Sequence, residues 1–376
     1  MFQSSIYSRR KLFTNFSRSL SSSSILSSNS RSTSIGFTGL GAMGKEMASN
    51  LLTKSFPPSS SSIQSKTSSS PQASFIIHDT SESSMTEFFE RHAHLYPSGT
   101  IITAPTPASV SKQASTIITM LPDSEIVKEV YLHPETGILS GIQSISTPSP
   151  TLCIDSTTLD RSVAIEVSST LSNSAQVNML DAPVSGGVVG AKQATLSFMC
   201  GGDETAFQTA SNILSKMGKN SIYCGQSGSG LSAKLANNLL LAISMIGISE
   251  SMLFGLKLGL SPQTLTSIIN SSSGQCWSSK VNNPVPGSLS TPTPADSGYR
   301  AGFKSKLMLK DLNITKSVAD EINLNLPLLT LSNRIYNKVC NDEELTDLDF
   351  SVVYQWLKVA NEHLNSNQNH PAEEKN

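Results

Sequence analysis

The sequence predicts an α/β chain in two parts: a doubly wound, mainly parallel sheet domain, then an all-α domain built around one long central helix. Three observations carry this reading. Short apolar runs of strand length alternate with helix-favouring sequence from residue 34 to residue 225, the pattern of a parallel sheet covered by helices. A G-x-G-x-x-G, Gly39-Leu40-Gly41-Ala42-Met43-Gly44, stands between the first such run and the first helix. Beyond Tyr223-Cys224-Gly225 the strand signal fades, and residues 231–260 form one long, mostly apolar segment.

Length and composition agree. The chain has 376 residues and a net charge of −1, and a domain takes about 150 residues. Near-zero charge with no basic stripe argues against nucleic-acid binding. The longest apolar run, 239–248, is shorter than the roughly 20 residues a bilayer span needs. Five cysteines (Cys153, Cys200, Cys224, Cys276, Cys340) are scattered without a C-x-x-C, which excludes a dense disulfide framework and suggests a reducing compartment.

Two segments and a tail stand apart from the fold. Residues 1–32 contain Arg9, Arg10, Lys11, Arg18 and Arg31, abundant serine and no acid; the first acid is Glu46. That is the composition of a mitochondrial transit peptide, and the expected location is the matrix; a plastid signal of similar composition and an unaddressed disordered tail are the alternatives. In residues 55–74, ten of twenty are serine and three are proline, too little apolar surface to offset the entropy of ordering. They read as a disordered loop insertion. Residues 365–376 read as a disordered polar tail.

The expected domains are therefore a dinucleotide-binding unit over 33–225 and a helical substrate and dimerisation unit over 226–364. The first strand, Ser34-Ile35-Gly36-Phe37-Thr38, runs into the glycine motif. Gly39 permits the tight turn, Gly41 lets backbone approach a pyrophosphate, and Gly44 lets the helix pack on the strand. The anion sits on the helix N-terminus, so this half is Rossmann-type. The second strand, Ser74-Phe75-Ile76-Ile77-His78, ends in Asp79. The fingerprint places an acid about 20 residues beyond the motif, on the adenosine ribose. Asp79 lies 40 residues after Gly39, and subtracting the twenty-residue insertion restores that spacing. Thr80 and Ser81 follow with no arginine for a 2′-phosphate, which favours NAD over NADP.

Further strands are expected over 115–120, 152–155 and 177–181, and ligands bind beyond their carboxyl ends. Those ends carry Leu121-Pro122, Thr157-Thr158 and Ser185-Gly186-Gly187. One hydroxyl plus glycine N–H groups makes an anion nest, or an ordinary strand-ending turn. In the apolar helix, Lys234 and Asn238 are four residues apart and share a face. Lys234 reads either as a snorkelling lysine or as a buried general acid/base. Lys310-Asp311, read from the residues alone, is a solvated charge pair. His92-x-His94 lacks a third ligand nearby, so no metal is expected. Walker A, G-x-S-x-G and H-E-x-x-H motifs are absent.

Four motifs in order resemble the β-hydroxyacid dehydrogenase family over about residues 34–362. They are the Gly36–Gly44 run, Asp181-Ala182-Pro183-Val184-Ser185-Gly186-Gly187, Gly228-x-Gly230-x-x-x-Lys234-x-x-x-Asn238, and Lys310-Asp311-Leu312. Residues 237–247 and 272–279, with Asn283-Pro284-Val285-Pro286-Gly287, resemble the family's mitochondrial valine-pathway branch. The resemblance implies NAD-dependent oxidation of 3-hydroxyisobutyrate to methylmalonate semialdehyde. It implies Lys234 as catalytic acid/base, Asn238 beside the substrate, and Ser185, Gly186 and Gly187 on the substrate carboxylate. It places Leu121, Pro122, Thr158 and Lys310 at the cofactor, and implies a homo-oligomer, dimer or tetramer, built through the helical domain. The chain departs from the family pattern at the insertion, at Thr38 and at Ile126. A sister activity, NADPH-dependent reduction of glyoxylate or succinic semialdehyde, and a catalytically dead NAD(P)-binding module are the alternatives. The retained Lys234 and Asn238 speak against the second.

Overall fold

A computed structural model describes residues 28–58, 73–147, 149–300 and 302–368. Most of the targeting segment and of the serine-rich insertion, and the last eight residues, lie outside the described residues.

Nine strands form one sheet in the order β3-β2-β1-β4-β5-β6-β8-β7, with β9 beside β8. The strands are β1 Ile35–Thr38, β2 Phe75–His78, β3 Ile101–Thr103, β4 Thr116–Thr119, β5 Thr151–Asp155, β6 Val177–Asp181, β7 Val184–Ser185, β8 Leu196–Gly201 and β9 Gly218–Gly225. From β3 through β6 every pairing is parallel, and 3-2-1-4-5-6 is the dinucleotide-binding order. Alternation along the strands feeds two cores. Phe75 and Ile77 face one with Phe37, Ile118 and Ile154, while Ile76 faces the other with Ile117 and Cys153. That is the period-2 split of strands covered on both faces. Sequence reading missed β3, β7, β8 and β9.

The connecting helices are α1 Ser28–Thr33, α2 Gly44–Ser55, α3 Glu82–His92, α4 Pro107–Gln113, α5 Ser124–Leu132, α6 Ile138–Gln143, α7 Arg161–Ser174, α8 Gly187–Gln193 and α9 Glu204–Leu214. Several carry their own start signals. Thr106 caps α4 with Pro107 in its first turn, and Asp123 caps α5 by accepting from Ile126 N–H.

The second half is helical. α10, Ser229–Lys257, is followed by α11 Pro262–Ser271, α12 Trp277–Lys280, α13 Ser305–Glu321, α14 Pro327–Cys340 and α15 Val353–Gln368. Met245, Ile246 and Met252 of α10 meet Met308 and Leu312 of α13, Tyr336 of α14 and Phe350 in a third core.

Three expectations need correction. The boundary at residue 32 falls inside the fold, because the Arg31 side chain is buried. Its Nε donates to Ser111 O at 3.1 Å, and its guanidinium also donates to the hydroxyls of Ser149 and Thr151. The folded part runs past 364, since α15 continues to Gln368. The long helix, which its mostly apolar sequence predicts to be buried on every face, is not buried all round: Leu240 and Phe254 are 65% and 69% exposed. By length and composition α10 could cross a membrane, a test that a core helix also passes. Here its other face packs within the fold.

Candidate active site

A row of polar residues lies across the carboxyl edge of the parallel sheet. His78, Thr38, Thr119, Asp155 and Asp181 are in register on neighbouring strands, and all are buried. Each ends an apolar run, and the loops that follow them carry most of the sequence-nominated residues.

Gly39 to Gly44 form the turn from β1 into α2. Gly39 has φ +97°, and a Cβ there would stand 2.2 Å from Met120 O. A Cβ on Gly44 would stand 1.9 Å from Gly39 O, so this glycine allows the helix to close on the strand. A Cβ on Gly41 would meet nothing within 4 Å. The open side of the turn is therefore at Gly41. No side chain caps the start of α2, which leaves its first N–H groups for an anion. These residues fit a dinucleotide.

Asp79 stands against this turn. Leu40 N–H donates to its Oδ2 at 2.6 Å and Ser81 N–H to its Oδ1 at 2.7 Å. Both bonds orient the carboxylate beside the motif, although 38 residues separate Asp79 from Gly41 in sequence.

The loops after β4 and β5 are tied together. Thr119 and Thr157 hydroxyls each donate to Asp155 Oδ1 at 2.7 Å, and Leu121 N–H donates to Thr157 Oγ1 at 2.9 Å. Tyr131 OH meets Thr119 Oγ1 at 2.9 Å. Burial pushes the Asp155 carboxyl up to about 6, against the pull of these hydrogen bonds. Lys310 Nζ, from α13, donates to Pro122 O at 3.0 Å and Thr158 O at 2.8 Å. The lysine spans from the helical half to both loops.

Ser185 ends β7, and Gly186 and Gly187 follow with φ +133° and +60°. Two consecutive glycines at positive φ turn the chain into α8, whose first turn has no side-chain cap. Successive glycine N–H groups in such a turn can receive an anion. No Cβ contact within 4 Å would arise at Gly187, so its surroundings are open.

Lys234 and Asn238 lie on the buried face of α10, at 6% and 2% exposure. Asn238 Nδ2 donates to Asp311 Oδ2 at 2.6 Å, and its Oδ1 accepts from Asn237 Nδ2 at 3.1 Å. Burial lowers the proton affinity of Lys234. The charge of Asp311 opposes this and that of Lys310 adds to it. Burial raises the Asp311 carboxyl, with Lys234 and Lys310 pulling it back. Lys310 and Asp311 are thus not a solvated pair: one reaches the cofactor-side loops and the other, 3% exposed, holds Asn238. A lysine with lowered proton affinity, close to an oriented amide, can exchange a proton with a ligand hydroxyl.

Lys234, Asn238, Lys310, Asp311, Pro122 and Thr158 are brought together by these contacts. Leu40, Gly41 and Asp79 form a second group at β1 and β2. Ser185–Gly187 lie on the same sheet edge, beyond β6. Sequence reasoning assigned no role to Asp311 or Asp155; the polar residue closing each strand was the available signal. His92 Nε2 meets Ser49 Oγ at 2.9 Å. Among the described residues no cluster of three metal-ligating side chains occurs.

Comparison with known proteins follows this division. Residues 34–225 match the family model of the NAD-binding domain of 6-phosphogluconate dehydrogenase. Residues 228–357 match that of the NAD-binding domain of NADP-dependent 3-hydroxyisobutyrate dehydrogenase. The chain is 39% identical over 356 residues to a probable mitochondrial 3-hydroxyisobutyrate dehydrogenase of Arabidopsis thaliana, covering 92% of this chain and 94% of that protein. It is 40% identical over 326 residues to the mitochondrial 3-hydroxyisobutyrate dehydrogenase of Mus musculus, covering 87% of each. A solved 3-hydroxyisobutyrate dehydrogenase of Mycobacterium tuberculosis with L-serine superposes with a TM-score of 0.73 at 33% identity, covering 87% of this chain and 99% of that one.

Proposed function

The chain belongs to the 3-hydroxyisobutyrate dehydrogenase family, NAD(P)-binding oxidoreductases, and from that premise we propose that it oxidises 3-hydroxyisobutyrate to methylmalonate semialdehyde with NAD. The observation that carries the reading is the buried Lys234, set on one helix face with an Asn238 whose amide is oriented by Asp311. NAD, when bound, supplies the hydride acceptor.

The chain's own residues supply the rest. Neutral Lys234 takes the hydroxyl proton on Nζ as the carbon loses its hydride. In the reverse direction the ammonium returns that proton to the carbonyl oxygen. Asn238 gives one amide hydrogen to Asp311, and its second is directed to the substrate oxygen. The Ser185 hydroxyl and the N–H groups of Gly186 and Gly187 receive the substrate carboxylate. Holding the acid end fixes the distance from the reacting carbon to Lys234, which supplies proximity. Leu121, Pro122 and Thr158, braced by Lys310, line the nicotinamide side. Gly39–Gly44 hold the pyrophosphate and Asp79 the adenosine ribose.

Asp79 supports NAD over NADP, since a carboxylate beside Leu40 N–H repels a 2′-phosphate. The NADP-dependent name attached to the match over 228–357 makes the other cofactor the second reading. The proposal extends to import and assembly. The basic, acid-free start reads as a matrix presequence, in keeping with relatives named mitochondrial. The exposed Leu240, Phe254 and Leu258 of the α10 face and the turn after it read as a subunit contact in a homo-oligomer.

The test is NADH or NADPH formation by residues 28–376 with 3-hydroxyisobutyrate, L-serine or 4-hydroxybutyrate, and NAD or NADP respectively. Turnover is expected with 3-hydroxyisobutyrate and NAD, and a loss of at least about a hundredfold in Lys234→Ala. Near-parent turnover in that variant would sink the assignment of Lys234. Preference for another acid or for NADP would move the protein to a sister activity.

A further inference from the structure

α10 is 29 residues long, yet its own sequence does not cap it. Its N-cap is Gly228, at φ +85°, and no side chain of the preceding turn bonds its first N–H groups. The cap comes from the sheet. Gly228 N–H donates to Asp181 Oδ1 at 2.7 Å, and Leu231 N–H to Asp181 Oδ2 at 3.0 Å. The carboxylate closes β6, 47 residues upstream, and is buried at 2% exposure.

Two glycines make room for it. A Cβ on Gly201 would stand 2.6 Å from Asp181 Oδ1, and one on Gly230 would stand 2.9 Å from Oδ2 and 2.2 Å from Met199 O. Helix and strand are therefore in direct backbone contact at this carboxylate. Gly230 and Lys234 are four residues apart, on one face of the helix. Asp181 is also four residues before Ser185 in the chain. One side chain thus sits between the nest proposed for the substrate carboxylate and the helix that carries the lysine.

We infer that Asp181 is a positioning residue: by capping α10 across the domain boundary it sets the rotation and height of the helix, and hence where Lys234 meets the substrate held at Ser185–Gly187. The inference rests on the function proposed above. Charge-assisted bonds to helix N–H groups are short and strong, and the dipole at a helix start favours a negative group. Removing the charge leaves both N–H groups buried and lets the first turn shift. A displacement of about 1 Å is enough to cost on the order of a hundredfold in a positioned reaction. The cofactor turn at Gly39–Gly44 and Asp79 lies at β1 and β2, three and four strands from β6, so the pyrophosphate and adenosine end of NAD is remote from this contact. Lys234 senses the change directly. The charged groups facing it are Asp311 and Lys310, both on α13, so a lysine withdrawn from its burial regains proton affinity.

Asp181→Asn keeps the shape and loses the charge. Gly228→Ala leaves the carboxylate and strains the capping turn, since its Cβ would meet Arg161 Cγ at 2.8 Å. Both are compared with the parent by kcat, KM for NAD, the pH profile of kcat/KM, and circular dichroism. Folded Asp181→Asn is expected to lose at least about tenfold in kcat. Its KM for NAD stays within about threefold, and the acid limb of its profile moves to higher pH. Gly228→Ala is expected to show the same signature at smaller size, and it decides the matter where Asp181→Asn does not fold. Parent kcat and an unmoved acid limb in the folded variants overturn the inference, as does a loss explained wholly by the unfolded fraction. Parent enzyme without turnover would instead refute the proposed function, so the two failures are distinct.

Discussion

Acidification should destabilise this protein in part through the buried imidazole of His92. His92 ends α3 and is 5% exposed, against the Phe88 ring at 4.7 Å between centroids. Its Nε2 meets Ser49 Oγ of α2, while Nδ1 has no hydrogen-bond partner. Burial, with the nearby charge of Arg91, pushes the imidazole down to about 4. The unfolded chain titrates at the ordinary 6.5, so the native state binds fewer protons. The contribution is fully present above pH 6.5 and is lost as pH falls through that value towards 4. The whole gap corresponds to about 3 kcal/mol, of which about 2 kcal/mol is lost between pH 7.5 and pH 5. His92→Gln keeps a polar group facing Ser49 and cannot be charged. Urea unfolding of parent and variant at pH 7.5, 6 and 5 isolates the effect, because other titrating groups act alike in both. The parent should lose about 2 kcal/mol more than the variant between the end points. Parallel pH dependence in the two proteins would refute the reasoning and place the acid lability elsewhere.

Asp155 acts with the opposite sign. Its folded value of about 6 lies above the ordinary 3.8, so its contribution is full below 3.8 and lost as pH rises through 6. Asp155→Asn should therefore raise stability at pH 7.5 by up to about 3 kcal/mol and leave it unchanged near pH 4; lower stability at pH 7.5 would mean that the carboxylate's three hydrogen bonds outweigh its burial. A chain starting at Thr33 should be about 1–3 kcal/mol less stable in urea than one starting at Ser28, since Thr151 and Ser149 lose the Arg31 guanidinium. Equal stability would show that Arg31 contributes nothing net. Lys310→Met should raise KM for NAD about fivefold, the equivalent of one hydrogen bond. It should also move the acid limb of kcat/KM to higher pH, because Lys310 lowers the proton affinity of Lys234; Lys310→Arg should restore the limb.

The parts of the site that are local in sequence were legible in it. The glycine turn, the acid after β2 and the lysine–asparagine face of α10 are each defined by spacing within a few residues, or by spacing corrected for one insertion. The contacts that hold these parts together were not. Asn238 meets Asp311 across 73 residues, Lys310 meets Pro122 across 188, and Arg31 meets Thr151 across 120. Spacing rules say nothing at such separations, and in each case the residue types are ordinary. A buried Asp311 and a solvated one look the same in sequence. The missed strands fail for another reason. β7 is two residues long, and β8 pairs antiparallel with β6 and β7 in a sheet that sequence reads as parallel.

One long-range feature nonetheless leaves a local trace. Phe37-Thr38, Ile77-His78, Ile118-Thr119, Ile154-Asp155 and Leu180-Asp181 all pass from a buried apolar residue to a polar one. In the sheet the five polar residues fall in one register. A lone polar residue at a strand end is unremarkable. Five in register form a buried line that calls for hydrogen-bond partners; Thr119, Asp155 and Asp181 find theirs in the loops and the helix that leave the same edge, while Thr38 Oγ1 and His78 Nδ1 have none among the described residues. Thr119 and Asp155 hold the loop of Thr157 and Leu121, and Asp181 holds α10. Demand for partners at the edge of the sheet thus organises the loops and the helix that carry the site. For that reason the chemistry gathers at this edge, and the residues that position it lie one step behind those that a motif search finds.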